Sequence, residues 1–421
     1  MSARASVLTA CKLSRGDAER AFPRAETDVL TREIRNLPSA DESMGNSRPG
    51  RRGPQPRRVL LLSLVIAAGL GGCATQAPSV KAPTVGPVEA HALLDRLVPR
   101  SIGDRGGWIA DMYAAFTVQQ IDPTPQNICA AVAVIEQESG FRTDPAVAGL
   151  PTIAWREIDQ RAEHAGIPAL LVHAALQLSS SSGRSYSDRI DGAKTEKDLS
   201  DIFDDFIGNV PMGRKLFGSL NPIHTRGPMQ VNVEFAERYA TLRPYPYPVK
   251  TSIADEVFTR RGSLYFGIGH LLGYPARYDK YLYRFADFNA GQYASRNAAF
   301  QNAINVASGI PLVPDGALLA HGADAKEAGS TELALRALGP QLDLSDAAIH
   351  TALEQARSKT FERTTLYQRV FTLAERTQRR PLPLASIPRI RLEGPKISRT
   401  LTTEWYATRV NERFSKCLEQ A

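Results

Sequence analysis

Glu138 is the residue whose type and placement most directly suggest chemistry. Residues 126–135 are apolar nearly all round (Ile128, Cys129, Ala130, Ala131, Val132, Ala133, Val134, Ile135), the pattern of a buried helix. Ile128, Val132 and Ile135 share a face, and Glu138, three residues on, continues that face inward. A carboxylate at the C-terminal end of a buried helix meets the negative end of the helix dipole and apolar walls, and both favour its protonated form. That is what a general acid needs near neutral pH. Gly140 suits a left-handed cap that stops the helix there. Other polar residues admit two readings each. Gln230 and Asn289 could touch a substrate or satisfy buried backbone groups. Asp201, Asp204 and Asp205 could form a second carboxylate or a cation site, or only the solvated face of a helix. Asp287 is a candidate for a cleft rim, and Tyr239, Tyr245 and Tyr247 could stack on a ring-shaped ligand or pack internally. There is no CxxC or HExxH, and the seven histidines are scattered, so neither a metal site nor a cofactor is expected.

Several short motifs, taken in order, resemble a known family. Glu138-Ser139-Gly140-Phe141 looks like the Glu-Ser motif of the soluble, goose-lysozyme-like lytic transglycosylases, which cleave peptidoglycan glycan strands. Gly227-Pro228-Met229-Gln230-Val231 resembles their Gly-Leu-Met-Gln motif, residues 261–272 their long helix, and Ala286-Asp287-Phe288-Asn289-Ala290-Gly291 their Ala-Tyr-Asn-Ala-Gly motif. The resemblance implies that Glu138 is the one catalytic carboxylate. It would act as acid to the glycosidic oxygen and then as base to the muramoyl C6 hydroxyl, leaving a 1,6-anhydro end without water. Such internal attack uses a nucleophile already positioned on the substrate. It further implies that Ser139, Met229 and Gln230 line the cleft and that Asn289 holds Glu138 or sugar groups. Two features depart from the family. Phe288 stands where a Tyr usually offers its hydroxyl to the glutamate, so Tyr281 or Tyr283 would have to supply that contact. The 88 residues between Glu138 and Gly227 replace a short loop, as a helical insert that could shape the cleft or close it.

Positioning these residues falls to an almost entirely helical chain, with no sustained period-2 pattern. Helices are expected over 89–97, 108–118, 126–138, 153–164, 168–178, 196–206 and 234–242. Others are expected over 253–272, 278–285, 293–306, 332–338, 345–357, 361–376 and 399–417. Thr195-Glu-Lys-Asp198 reads as a capping box, and Asp343, Ser345 and Thr360 as caps. The breaks fall at 179–187, 243–248, 310–316 and 380–395, the last an extended, basic, Pro-rich strap. The fold class expected is all-α. A lysozyme-like domain would span 89–310, with its insert near 145–225, followed by a helical extension over 311–421.

Upstream, five arginines between 48 and 58 precede an uncharged apolar run over 59–70, too short to span a bilayer. Leu70-Gly71-Gly72-Cys73 resembles the lipobox of bacterial lipoproteins, which implies a lipid on Cys73 and membrane anchoring at the periplasmic face of an outer membrane. From there onward the chain is also similar to a family of bacterial lipoproteins without an assigned activity. Residues 44–72 then form a signal peptide, 73–88 a tether, and 1–43 an upstream extension, with Met44 the expected start. Location of the charge decides what it means. Residues 1–72 carry twelve basic and seven acidic side chains, +5 of the formal +7, and leave +2 over the other 349 residues. A nucleic-acid partner is therefore not expected, whereas peptidoglycan strands and a membrane are. Cys129 and Cys417 could form a disulfide in that compartment, or be one buried thiol and one tail residue. Beside the enzyme stands a second class, a non-catalytic peptidoglycan-binding or scaffolding lipoprotein of the same fold.

Overall fold

The computed structural model describes residues 84–209, 221–320, 327–394, 397 and 399–421; Cys73, the leader and most of the tether lie outside them. Seven helices come first: α1 (Pro87–Leu97), α2 (Arg105–Val118), α3 (Pro125–Glu138), α4 (Leu150–His164), α5 (Ala169–Leu176), α6 (Tyr186–Asp191) and α7 (Glu196–Gly208). An antiparallel hairpin of β1 (Thr225–Arg226) and β2 (Val231–Asn232) follows, pairing Thr225 with Asn232 and Arg226 with Val231. Next are α8 (Val233–Leu242), α9 (Ile253–Glu256), α10 (Arg260–Leu272), α11 (Tyr281–Ala290) and α12 (Ala294–Ser308). The remainder holds α13 (Ser330–Ala337), α14 (Gly339–Leu342), α15 (Asp346–Leu353), α16 (Thr365–Gln378), a second hairpin of β3 (Arg391–Leu392) and β4 (Leu401–Thr402), and α17 (Thr403–Leu418). The all-α class expected from periodicity is what the described residues adopt.

α3 is central to the larger core. Thr124 caps it, its Oγ1 accepting from the Asn127 amide at 3.2 Å, and Pro125 occupies the first helical position, where a missing N–H costs nothing. Every side chain from Ile128 to Ile135 is buried. Full burial of each large aliphatic among them is worth about 1.5–3 kcal/mol relative to exposure. α1, α2, α10 and α17 surround it within the same cluster. α10 is equally enclosed, and Gly267 lets it approach the first hairpin, because a Cβ there would run into the Met229 side chain.

The 311–421 segment divides between two cores. Ala334, Leu335, Leu353, Phe361, Val370 and Phe371 close a second cluster on Phe300 and Ile304 of α12. Leu392 near the end of the extended strap, and Leu401, Tyr406, Val410 and Phe414 beyond it, return to the core around α3. Residues 147–206 carry a small apolar cluster of their own, from Leu150 and Ala154 to Leu176, Tyr186, Ile190 and Ile202.

Four local expectations need correction. The helix expected over 253–272 is interrupted at 257–259, where Thr259 restarts it by accepting from the Gly262 amide. The serine-rich break at 179–187 contains the start of α6, capped by Ser185. Asp343 adopts a left-handed conformation after α14 rather than opening a helix, and Thr360 makes no side-chain cap.

Candidate active site

Glu138 ends α3 with only 2% of its surface exposed. The Tyr406 hydroxyl of α17 donates to its Oε1 at 2.7 Å, across 268 residues of sequence. The turn behind it is fixed. Ser139 Oγ donates to the Ile135 carbonyl, Gly140 and Phe141 both take positive φ, and Phe141 meets the Trp108 ring edge-on at 5.1 Å. Arg142 Nε then donates to the Ser139 carbonyl. Two successive left-handed residues are tolerated because the first is glycine and the second is gripped by packing.

α17 reaches a second residue of interest as well. Thr403 Oγ1 donates to Asn289 Oδ1 at 2.9 Å. Farther along, Cys417 is joined to Cys129 of α3 by a disulfide with Cα atoms 5.5 Å apart. One helix thus touches Glu138, Asn289 and the start of the catalytic-candidate helix. The buried stripe Thr403, Tyr406, Ala407, Val410, Phe414 and Cys417 has helical spacing, so the sequence contains the signal that this face is internal. Tyr406 nevertheless escapes a motif search, since it lies outside every matched motif. Neither tyrosine expected to replace the missing hydroxyl supplies it. Tyr281 donates to Asn127 Oδ1 at 2.6 Å, and Tyr283 packs on Tyr278. Phe288 is buried against His270, which in turn stacks on Phe235.

The first hairpin carries Met229 and Gln230. Gln230 takes a positive φ in its turn and is buried, with its amide held at both ends. Thr225 Oγ1 donates to Oε1, and Nε2 donates to Glu196 Oε2, each at 2.9 Å. Glu196 opens α7, whose start is set by the reciprocal Thr195 and Asp198 capping box that the sequence announces. The insert therefore delivers a carboxylate onto Gln230, a pairing that sequence spacing did not suggest. Met229 is wholly buried, its amide donating to Ser263 Oγ at 3.0 Å and its side chain against Gly267.

The remaining candidates have internal roles. Asp287 is entirely buried, accepting from the hydroxyls of Tyr274 and Tyr278 and the amides of Tyr293 and Ser295, and it anchors the α11–α12 turn instead of rimming a cleft. Burial raises its carboxyl above the ordinary aspartate value, with those donors opposing. Asp201 pairs with Lys197 at 2.5 Å and Asp205 with Arg189. Tyr239 donates to Gln119 Oε1, and burial pushes its hydroxyl up to about 12, while Tyr245 donates to Glu256. Among the described residues no group of His, Cys, Asp or Glu is arranged to hold a metal. Chemically, the arrangement offers one enclosed carboxylate oriented by a phenol, on a helix that also bonds the Asn289 amide one turn earlier.

A family model described as "Protein of unknown function (DUF1615)" matches residues 101–420, a span that includes Glu138, Gln230, Asn289, Tyr406 and both disulfide cysteines. Among curated proteins, "Uncharacterized protein YaiW" of Escherichia coli (strain K12) is 50% identical over 359 residues, covering 85% of this chain and 98% of that protein. No solved structure matches.

Proposed function

The chain belongs to the DUF1615 family, and from the geometry around Glu138 we propose that it is a membrane-anchored peptidoglycan lytic transglycosylase with a lysozyme-like catalytic domain. The observation that carries this reading is the Tyr406 hydroxyl on Glu138 Oε1. It replaces, from another helix, the phenol whose usual position Phe288 occupies. In this reading Glu138 protonates the oxygen between N-acetylmuramic acid and N-acetylglucosamine as its bond to the muramoyl C1 breaks and N-acetylglucosamine leaves with that proton, then takes the muramoyl C6 hydroxyl proton as the C6 oxygen bonds to C1. Tyr406 holds the carboxylate in place through both steps, Gln230 and Asn289 position sugar groups, and Ser139 and Met229 shape the wall. The lipid-bearing Cys73 keeps the domain at the periplasmic face of the outer membrane, within reach of the glycan.

A second reading is favoured by the 2% exposure of Glu138 and by the internal bonds of Gln230 and Asn289. A site so enclosed suits a non-catalytic peptidoglycan-binding or scaffolding lipoprotein. Digestion of purified sacculi by the full chain and by its Glu138→Gln form separates the two. Anhydromuropeptides from the wild type, reduced by a factor of roughly 10²–10⁴ in the variant, are expected for an enzyme that relies on this acid and base. Sacculus binding without any released product from either form transfers the assignment to the second reading, and absence of binding as well removes both.

A further inference from the structure

The hairpin of α4 and α5 has its polarity reversed for a water-facing element. α5 reads Ala-Leu-Leu-Val-His-Ala-Ala-Leu, without a charge. Its one polar side chain, His173, is turned toward α4, where Nε2 bonds Asp159 Oδ1 at 2.7 Å and the ring lies 4.8 Å from Trp155. Leu176 and Val172 pack inward on the small cluster, and the other large aliphatic side chains point outward. Leu170 is 80% exposed, Leu178 63%, Leu171 61% and Ile167 47%, all within twelve residues of chain. Other exposed large apolar residues, such as Val88, Leu242 and Leu333, are isolated on their elements, as is ordinary for protein surfaces.

We propose that this tip docks into the acyl border of the lipid surface to which the chain is anchored, a proposal that rests on the membrane-anchored part of the reading above. Three observations select lipid as the occupant. Residues 165–178 hold no Phe, Tyr, Trp, Met or Arg, the side chains in which protein interfaces are enriched. Beside it, Arg156, Asp159, Gln160 and Glu163 line a shallow hollow with Ile167 and Pro168, so both charge signs face outward, as the phosphate and amine of a zwitterionic headgroup require. The anchor is also near in chain length. Ten residues separate Cys73 from Thr84, which is tied to Asp122 by two 2.9 Å bonds, and ten residues span at most about 36 Å. A lipid chain plus an inserted apolar element is a two-point attachment, firmer than either contact alone.

The test uses the full chain with Leu170→Trp, reconstituted in phosphatidylethanolamine–phosphatidylcholine vesicles with and without dibromo-phosphatidylcholine. Leu333→Trp serves as the exposed reference and Leu171→Trp as a second reporter. The expected result is that emission added at 170 and 171 shifts to the blue and is lost to bromine, unchanged by salt, whereas emission added at 333 is not. Vesicle-bound chain with 170 and 171 quenched no more than 333 overturns docking and leaves the anchor standing. A wild-type chain that fails to float with vesicles overturns anchor and docking together. A Cys73→Ser chain that floats as well as wild type removes the lipid anchor, and quenching at 170 then judges docking by itself.

Discussion

Where α17 lies against α3 one polar bond sits in a mainly apolar contact closed by a disulfide, whereas α7 meets the first hairpin through polar bonds. On the first seam, Tyr406, Val410 and Phe414 enter the same core as Ile128, Val132 and Ile135, and the Cys129–Cys417 bridge closes it. On the second, Glu196 bonds Gln230, and Asn221, just ahead of the hairpin, bonds Ser200 at 3.0 Å. Behind α7 is a separate small cluster. Net hydrogen bonds contribute about 0.5–1.5 kcal/mol each, while a buried Leu-sized side chain contributes about 1.5–3. The two halves of the constellation therefore differ in how firmly they are held. Glu138 is fixed to the scaffold, and Gln230 is fixed to a module that can yield first. If a glycan strand reaches Glu138, the insert side is where the fold opens at least cost.

Removing the disulfide is the strongest way to break that contrast. Cys129→Ala with Cys417→Ala is expected to destabilise the protein by about 2–5 kcal/mol, since the bridge closes a loop of 288 residues in the unfolded chain. Calorimetry should show a Tm several degrees lower. Amide exchange should accelerate in α17 and remain unchanged in α4–α7. An unaltered Tm, or equal acceleration in both places, means that the α17 seam is not the firmer one. Thiol labelling of the oxidised chain provides the direct check, with Cys129 and Cys417 unreactive until reduction.

Tyr406→Phe probes the same seam at one atom. The ring keeps its packing while Glu138 Oε1 loses its donor, and leaving a buried carboxyl oxygen without its donor costs about 1–3 kcal/mol. Under the proposed activity kcat falls about tenfold or more with KM little changed, because orientation of the acid is lost while sugar contacts remain. A change confined to KM would place Tyr406 among the substrate contacts instead.

Legibility in the sequence follows the range of the interactions. α3 could be read because its apolar residues run around the whole helix, and its end because Gly140 follows at the left-handed position. The start of α7 could be read because its capping box lies within four residues. The break at 257–259 could not, since residues on both sides are apolar and the deciding event is a single Thr259 cap. Least accessible were the two bonds that define the site. Tyr406 reaches Glu138 across 268 residues and Glu196 reaches Gln230 across 34, and neither separation leaves a periodic trace. The helical stripe of α17 shows which side is internal, but only tertiary packing decides which buried carboxylate that side meets.

The smallest expected effect belongs to the polar seam and comes from Glu196→Gln. The substituted amide retains an oxygen at the position that accepts from Gln230 Nε2, so the geometry can persist while a charged acceptor becomes neutral. The difference between a charged and a neutral hydrogen bond is about 1 kcal/mol. For a folded part of this size that corresponds to a Tm lower by about 1–2 °C. Under the proposed activity KM rises a few-fold and kcat holds, because Gln230 is placed to position sugar while Glu138 and Tyr406 are untouched. Exchange should accelerate in α7 and the hairpin, the reverse of the disulfide variant. Should Glu196→Gln instead lower kcat as far as Tyr406→Phe does, Gln230 and Glu138 act as one coupled unit. The insert is then part of the catalytic scaffold, not its movable side.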